Sequence, residues 1–245
     1  MSIDGRLDPW FRSPLGDALL CAESEVACRL LERVFGFVAV AIGGWWPTEP
    51  FMTHCAIRRR LHLDARSGDL LSPLDNLALA SDSVDAIVLP HTLEFVESPQ
   101  RLLREVERVL VGEGHVLILG FNPWSAWTVR KLLKGEHFPE SGQPLARARL
   151  IDWLELLGFE ILAAPGFFRR PPLDHRGALE RLQGLEQPRW LPLPAGAYAV
   201  LARKHVYSVT PLRPAWERRR RLIAGLASPT AQSTEWRRRV HYQKH

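Results

Sequence analysis

LALASDSVDAIVLPHTLEFVESPQRLLREVERVLVGEGHVLILGF, residues 77–121, is the stretch of this 245-residue chain from which a fold can be read. Within it, SVDAIVLP (83–90) is a charged lead-in to an apolar run, the pattern of a strand buried on both faces. Pro99 stands where a helix begins, and Leu102, Leu103, Val106, Val109 and Leu110 fall on one side of that helix. GEG (112–114) reads as its stop, and HVLILGF (115–121) as the next buried strand. Strand, helix, glycine turn and strand make a βαβ unit, whose strands run parallel with a right-handed crossover.

Working outward, the upstream segment 15–35 places Leu15, Leu19, Ala22, Val26, Leu30 and Val34 at spacings of three and four, an amphipathic helix with Gly36 as its stop. FVAVAIGG (37–44) reads as a buried strand closing on two glycines. The prolines at 47 and 50 argue against a regular helix between Trp45 and Thr53. Short strands are expected in 57–63, running up to Asp64, and in 69–72. Downstream, 145–157 reads as a helix ended by Gly158, followed by strands at 159–164 and 195–204. The proline-rich stretch 165–194 reads as an irregular excursion rather than a second domain. Alternating strands and helices of this kind predict a three-layer α/β sheet.

Composition excludes several classes. An apolar share of 46% with 24% charged residues is that of an ordinary globular chain. No apolar run approaches the roughly 20 residues that span a bilayer, and the N-terminal MSIDGRLDPWFR has no hydrophobic signal segment, so a cytoplasmic protein is expected. Cys21, Cys28 and Cys55 lack C-x-x-C spacing and read as buried free thiols of a reducing compartment. There is no H-E-x-x-H set, no G-x-x-x-x-G-K-S/T loop and no G-x-S-x-G elbow, and no metal site is expected. The net charge of +5 is unevenly placed: from Arg203 onward eleven Lys and Arg face two Glu, so residues 1–202 are mildly acidic. The tail, 206–245, contains ERRRR (217–221) and WRRRV (236–240), too little apolar surface to fold alone. It is either a solvated basic extension or, through Arg beside Trp216 and Trp236, a contact for nucleic acid, with an anionic membrane surface a weaker option.

Residues 77–121 resemble the second half of the class I S-adenosylmethionine-dependent methyltransferase domain, in the methyltransferase type 11 group. In that group a loop of the form L-P-F-x-D-x-S-F-D leads into the fourth strand. A helix with L-L-x-E-x-x-R-V-L, a P-G-G-like turn and the fifth strand follow. The positions matched here are Leu77, Asp82, Ser83, Val84 and Asp85, then Leu102, Leu103, Glu105, Arg108, Val109, Leu110, Gly112 and Gly114. PLGDALLCAESE (14–25), the FGF at 35–37 and GFNPWS (120–125) are similar to a small bacterial branch of the group. The resemblance covers about 15–205. It implies a doubly wound, mostly parallel, Rossmann-like sheet over residues 1–205, with 165–194 as an irregular insertion. It also implies S-adenosyl-L-methionine as cofactor and methyl transfer to an acceptor the sequence does not name. The competing reading is a methyltransferase fold retired from catalysis and kept for binding or regulation, with the basic tail reaching nucleic acid.

The resemblance also points to site residues. The family pattern after the first strand is an acidic residue followed by G-x-G-x-G. This chain has AIGGW, with Ala41 at the acidic position and Gly43 and Gly44 left to approach the cofactor, or simply to turn the chain. Asp64, 21 residues after Gly43, is either the carboxylate for the ribose hydroxyls or a solvated residue opening a turn. The group's adenine-contacting Asp falls on Pro73, which leaves Asp75 as acceptor for the adenine amino group and Leu74 as an apolar wall. His91, ending the fourth strand, is the catalytic candidate, as a general base or beside the sulfonium. Its alternative is a structural polar contact, with Glu94 as the nearest carboxylate to orient it. Asn122 is a candidate to polarise a substrate. Trp124 and Trp127 form either a stacking wall or the start of a core-facing helix.

Overall fold

A computed structural model describes residues 13–43, 56–65, 68–125, 142–169 and 194–206. Its elements are α1 (Pro14–Leu31), β1 (Val38–Ile42), β2 (Arg59–Asp64), β3 (Leu70–Leu71), β4 (Val84–Pro90), α2 (Pro99–Val109), β5 (Leu110–Phe121), α3 (Arg147–Leu156), β6 (Phe159–Ala163), β7 (Gly166–Phe167) and β8 (Ala197–Lys204). They build one sheet in the order β3-β2-β1-β4-β5-β8-β6, with β7 also paired to β8. The strands from β3 to β5 are parallel to their neighbours, and β8 inserts antiparallel between β5 and β6. This is the doubly wound, mostly parallel α/β sheet expected.

Alternation along the strands sorts the core into two layers. Ala39 and Ala41 of β1, with Ala86, Val88, Leu117, Leu119, Ala197 and Ala199, meet Leu19, Ala27 and Leu31 of α1. Their intervening neighbours Val40, Ile42, Ile87, Leu89, Val116, Ile118 and Val200 meet Leu102, Leu103, Val106 and Val109 of α2 and Leu150 and Leu154 of α3. Helices therefore cover both faces, which is why the central strands are apolar throughout rather than alternating. The alanines that dominate the first layer leave room for α1.

The helix ends follow from their capping residues. Ser13 caps α1, its hydroxyl accepting from the Gly16 N–H at 3.1 Å, with Pro14 in the first turn. Gly158, at φ +84°, ends α3 as read. Two other glycines do something different from what the sequence suggested. Helix α1 ends at Leu31, so Gly36 is not its stop. A Cβ at Gly36 would stand 2.3 Å from the Asp85 Cβ. The bare backbone there lets the Asp85 carboxylate accept both the Phe37 and Val38 N–H groups at 2.9 Å. Likewise α2 ends at Val109, and GEG lies inside β5. The register jumps from Val84–Leu110 to Ala86–His115, a bulge in which Glu113 takes φ +67°. Two acidic positions of the family pattern are thus structural: Asp85 anchors β1 to β4, and Glu105 holds the loop before β4. The Glu105 carboxylate accepts from the Leu77 N–H at 3.0 Å and from Arg108, whose guanidinium also donates to the Leu77 and Leu79 carbonyls. The expectation of buried thiols fails for Cys21, which is exposed, and Cys28 is half-buried; Cys55 lies outside the described residues.

Candidate functional site

The strand order reverses between β1 and β4. At such a switch the connections leave in opposite directions and a crevice opens beyond the carboxyl ends of the strands. Gly43 and Asp64 each lie one residue past the last β1–β2 register pair, Ile42–Leu63, so they stand side by side at that edge. The Gly43 N–H donates to the Leu63 carbonyl at 3.0 Å, and its φ of +122° is one that a side chain would strain. The His62 ring places Nε2 2.6 Å from the Gly43 carbonyl; an Nε2–H donor there holds the peptide after the glycine in place. Asp64 is buried and ends β2. Gly44 lies outside the described residues, as do Trp45 and Trp46.

The loop after β3 carries Leu74 and Asp75. Ser72 shapes it: its N–H donates to the Asp64 carbonyl at 3.0 Å and its hydroxyl accepts the Ala78 N–H at 2.7 Å. Leu74 and Asp75 line a cleft of about 280 Å³ with Phe95, Val96, Ser98 and Arg101, which follow β4 and open α2. Leu74 is half-buried against the α2 side of the core and Asp75 is exposed.

His91 follows β4 in a left-handed conformation, φ +53°, and begins a short 3-10 turn, Thr92–Glu94. Thr92 Oγ1 donates to the Ile42 carbonyl at 2.6 Å, drawing this turn onto the end of β1. The imidazole is wholly buried and tilted against Phe121, with ring centroids 4.0 Å apart. Its Nε2 lies 2.7 Å from Glu23 Oε1 and its Nδ1 3.1 Å from Glu94 Oε2, while Glu94 Oε1 accepts the Phe121 N–H at 2.6 Å. Burial opposes charge on this ring, but the carboxylates of Glu23 and Glu94 outweigh it and push its pKa up to about 10. Burial raises both glutamates as well. At neutral pH His91 therefore carries protons on both nitrogens and donates both. It is a cation clamped between carboxylates, without the lone pair a general base needs.

Sequence reasoning found Glu94 but missed Glu23 and His62. The signal for Glu23 was present. The stripe of α1 that is buried runs Leu19, Glu23, Ala27, Leu31, with Ala22, Val26 and Leu30 only half-buried beside it. A carboxylate at the centre of an apolar helix face is itself a flag. Asn122 is not placed to polarise a substrate: Nδ2 donates to the Ala195 carbonyl at 2.9 Å and Oδ1 accepts the Trp124 N–H at 3.1 Å, tying the end of β5 to the start of β8. Trp124 is 78% exposed, so it does not face the core, and Trp127 lies outside the described residues. Among the described residues no group of His, Cys, Asp and Glu is arranged to hold a metal ion, and no helix is long and apolar enough to cross a membrane.

Comparison with known proteins agrees with this fold. The family profile described as "Methyltransferase domain" matches residues 52–118. The chain is 34% identical over 176 residues to the uncharacterized protein YafS of Escherichia coli, covering 70% of this chain and 73% of that one. Its fold is similar to an S-adenosylmethionine-dependent methyltransferase from Thermotoga maritima, at a TM-score of 0.55 and 17% identity, over 81% of this chain and 94% of that one. A second such structure, from Mesorhizobium loti, gives a TM-score of 0.51 at 20% identity, over 75% of this chain and 99% of that one. The chain belongs to one family with YafS; it carries a matched methyltransferase domain over residues 52–118, and its sheet has the fold of S-adenosylmethionine-dependent methyltransferases.

Proposed function

We propose that this chain is an active methyltransferase, transferring the cofactor's methyl group to a small-molecule or macromolecular acceptor. The observation that supports this reading is that Gly43 and Asp64 stand side by side past the carboxyl ends of β1 and β2, with the loop bearing Leu74 and Asp75 tied to the Asp64 carbonyl through the Ser72 N–H. The residues fit the cofactor. Gly43 presents backbone without a side chain at the crevice, Asp64 is a buried carboxylate suited to a vicinal diol, and Leu74 offers an apolar wall beside Asp75 for a purine amino group. When bound, the cofactor supplies a methyl already activated on a sulfonium. The chain's tasks are then to bind, to align an acceptor and to exclude water. Because His91 stays protonated, it holds charge beside the crevice rather than accepting a proton, and the acceptor fitting this site is one with a lone pair already free at neutral pH.

The activity is assigned to residues 1–205, with the basic tail dispensable for cofactor binding, and to the cytoplasm, where the unpaired thiols of Cys21 and Cys28 would persist. Calorimetry on the full chain with S-adenosylmethionine and S-adenosylhomocysteine tests the reading, supported by ligand-dependent melting. Saturable binding is expected, and Asp64→Asn is expected to weaken it by roughly ten- to a hundredfold, the usual worth of hydrogen bonds to a charged group. No saturable heat at millimolar ligand, from folded protein, would remove the enzyme reading and leave the fold.

A further inference from the structure

We propose that Glu23 Oε2 is the acceptor for the α-ammonium group on the methionine half of the cofactor, a carboxylate supplied from helix α1 in place of the acidic residue missing at position 41. This rests on the methyltransferase reading and deepens it. The first observation is an unfilled acceptor. Glu23 is wholly buried, its Oε1 is spent on His91, and its Oε2 has no hydrogen-bond partner among the described residues. Glu94, by contrast, uses both oxygens, on His91 and on the Phe121 N–H. Two carboxyls thus share one imidazolium; burial raises both of them, so the cluster can hold a further proton, and one acceptor site on Glu23 is left open. A buried carboxylate oxygen left without a donor is costly, and folds keep such sites where a ligand completes them.

The second observation is position. The turn carrying His91 is tied to the end of β1 by Thr92 Oγ1 on the Ile42 carbonyl, so the cluster sits where the chain passes into Gly43. The third is the face of the sheet. Ala41 points into the layer it shares with Leu19 and Ala27, the two residues that flank Glu23 on the buried stripe of α1. A strand carboxylate at 41 and a helix carboxylate at 23 would enter the same layer from opposite walls. The methyl group of Ala41 leaves the helix to provide it. Tyr198 is the ionisable group coupled to this cluster through Glu94, and Arg147 acts on Tyr198 in turn; the phenol is held protonated by burial and donates to the Leu145 carbonyl at 2.8 Å.

The test compares two ligands on Glu23→Gln and the unaltered full chain. S-adenosylhomocysteine carries the ammonium group; 5′-deoxy-5′-methylthioadenosine has the same nucleoside and thioether without the amino-acid half. Expected is a loss of tenfold or more in affinity for the first on substitution, with the second unchanged within twofold. An unchanged ratio of the two affinities in folded Glu23→Gln overturns the inference. Should that variant fail to fold, the unaltered chain decides by calorimetry in two buffers of different ionisation enthalpy. The ammonium ligand is expected to expel a proton from the Glu23–His91–Glu94 cluster and the methylthio ligand none; equal proton counts overturn it. If the unaltered chain binds neither ligand, the methyltransferase reading itself fails, a result distinct from the other two.

Discussion

Glu105 and Arg108 stand three residues apart on α2, about a fifth and a third exposed, and clamp a loop that precedes them by some thirty positions. Glu23, His91 and Glu94 come from α1 and from the turn after β4, with 68 residues between the first two, and none of them reaches solvent appreciably. Both are carboxylates closed on a cation. In the rim clamp every group finds its partners within the chain, and water softens both the gain and the cost of pairing. In the interior the groups are shielded from solvent, so the same chemistry couples its members more strongly to one another, while Glu23 Oε2 has no partner among the described residues. One network closes a fold; the other buries its charge beside the end of β1.

The largest expected effect comes from opening the interior network. His91→Ala leaves two carboxylates facing each other in the core and is expected to cost about 3–5 kcal/mol, the usual penalty for stripping the partner from a buried ion pair. Urea unfolding measures it. Neutralising all three positions together, Glu23→Gln, His91→Gln and Glu94→Gln, is expected to recover much of that loss, because no uncompensated charge remains. A triple variant no more stable than His91→Ala would break the comparison, since the cost would then lie in packing rather than charge. Next in size is Gly36→Ala. Its new methyl would meet the Asp85 side chain at 2.3 Å and displace the carboxylate from the Phe37 and Val38 N–H groups. Overpacking and the lost bonds together are expected to cost about 2 kcal/mol, with cofactor affinity changing little, because this anchor lies at the opposite end of β1 from Gly43.

The same contrast explains what could be read from the sequence. The segment 77–121 was legible because its pattern is local: apolar runs set β4 and β5, period-3.6 spacing sets α2, and Glu105 finds Arg108 one turn away. Gly43 and Asp64 could be named as candidates because each follows its strand at a family spacing, and Leu74 and Asp75 because Pro73 stands where the family has its carboxylate. Glycine roles were not legible in the same way. Gly36 and GEG look like helix stops in one dimension, yet Gly36 answers to Asp85, 49 residues away, and Gly114 to the Asp85 and Val111 carbonyls. Nor did periodicity fix the rotation of α1. Leu19 lies on the buried stripe and Val34 is buried beyond the helix end, but Ala22, Val26 and Leu30 turn partly outward, and only the sheet beneath decides that Glu23 points in. The buried cluster needed three dimensions because its partners share no local spacing.

The smallest effect is Arg108→Ala, and its value lies in the sign of its pH dependence. With a third of the guanidinium exposed, loss of the pair and of the carbonyl contacts at Leu77 and Leu79 is expected to cost only about 1 kcal/mol at neutral pH. Hydrogen bonds from Arg108 lower the pKa of Glu105 below its ordinary 4.5. A carboxyl whose folded pKa is depressed contributes stability above its unfolded value and loses it as pH falls through the folded one, so Arg108→Ala should differ least from the unaltered chain in acid. His91 behaves in the opposite sense. Burial works against its charge, yet Glu23 and Glu94 raise it from 6.5 to about 10, so its contribution is complete below pH 6.5 and is lost as pH climbs towards 10. Unfolding free energies from pH 4 to 10 should therefore show Arg108→Ala converging on the unaltered chain at the acid end and His91→Ala converging at the alkaline end. Convergence of both variants at the same end would mean that rim and interior are not the separate electrostatic regimes their geometry implies.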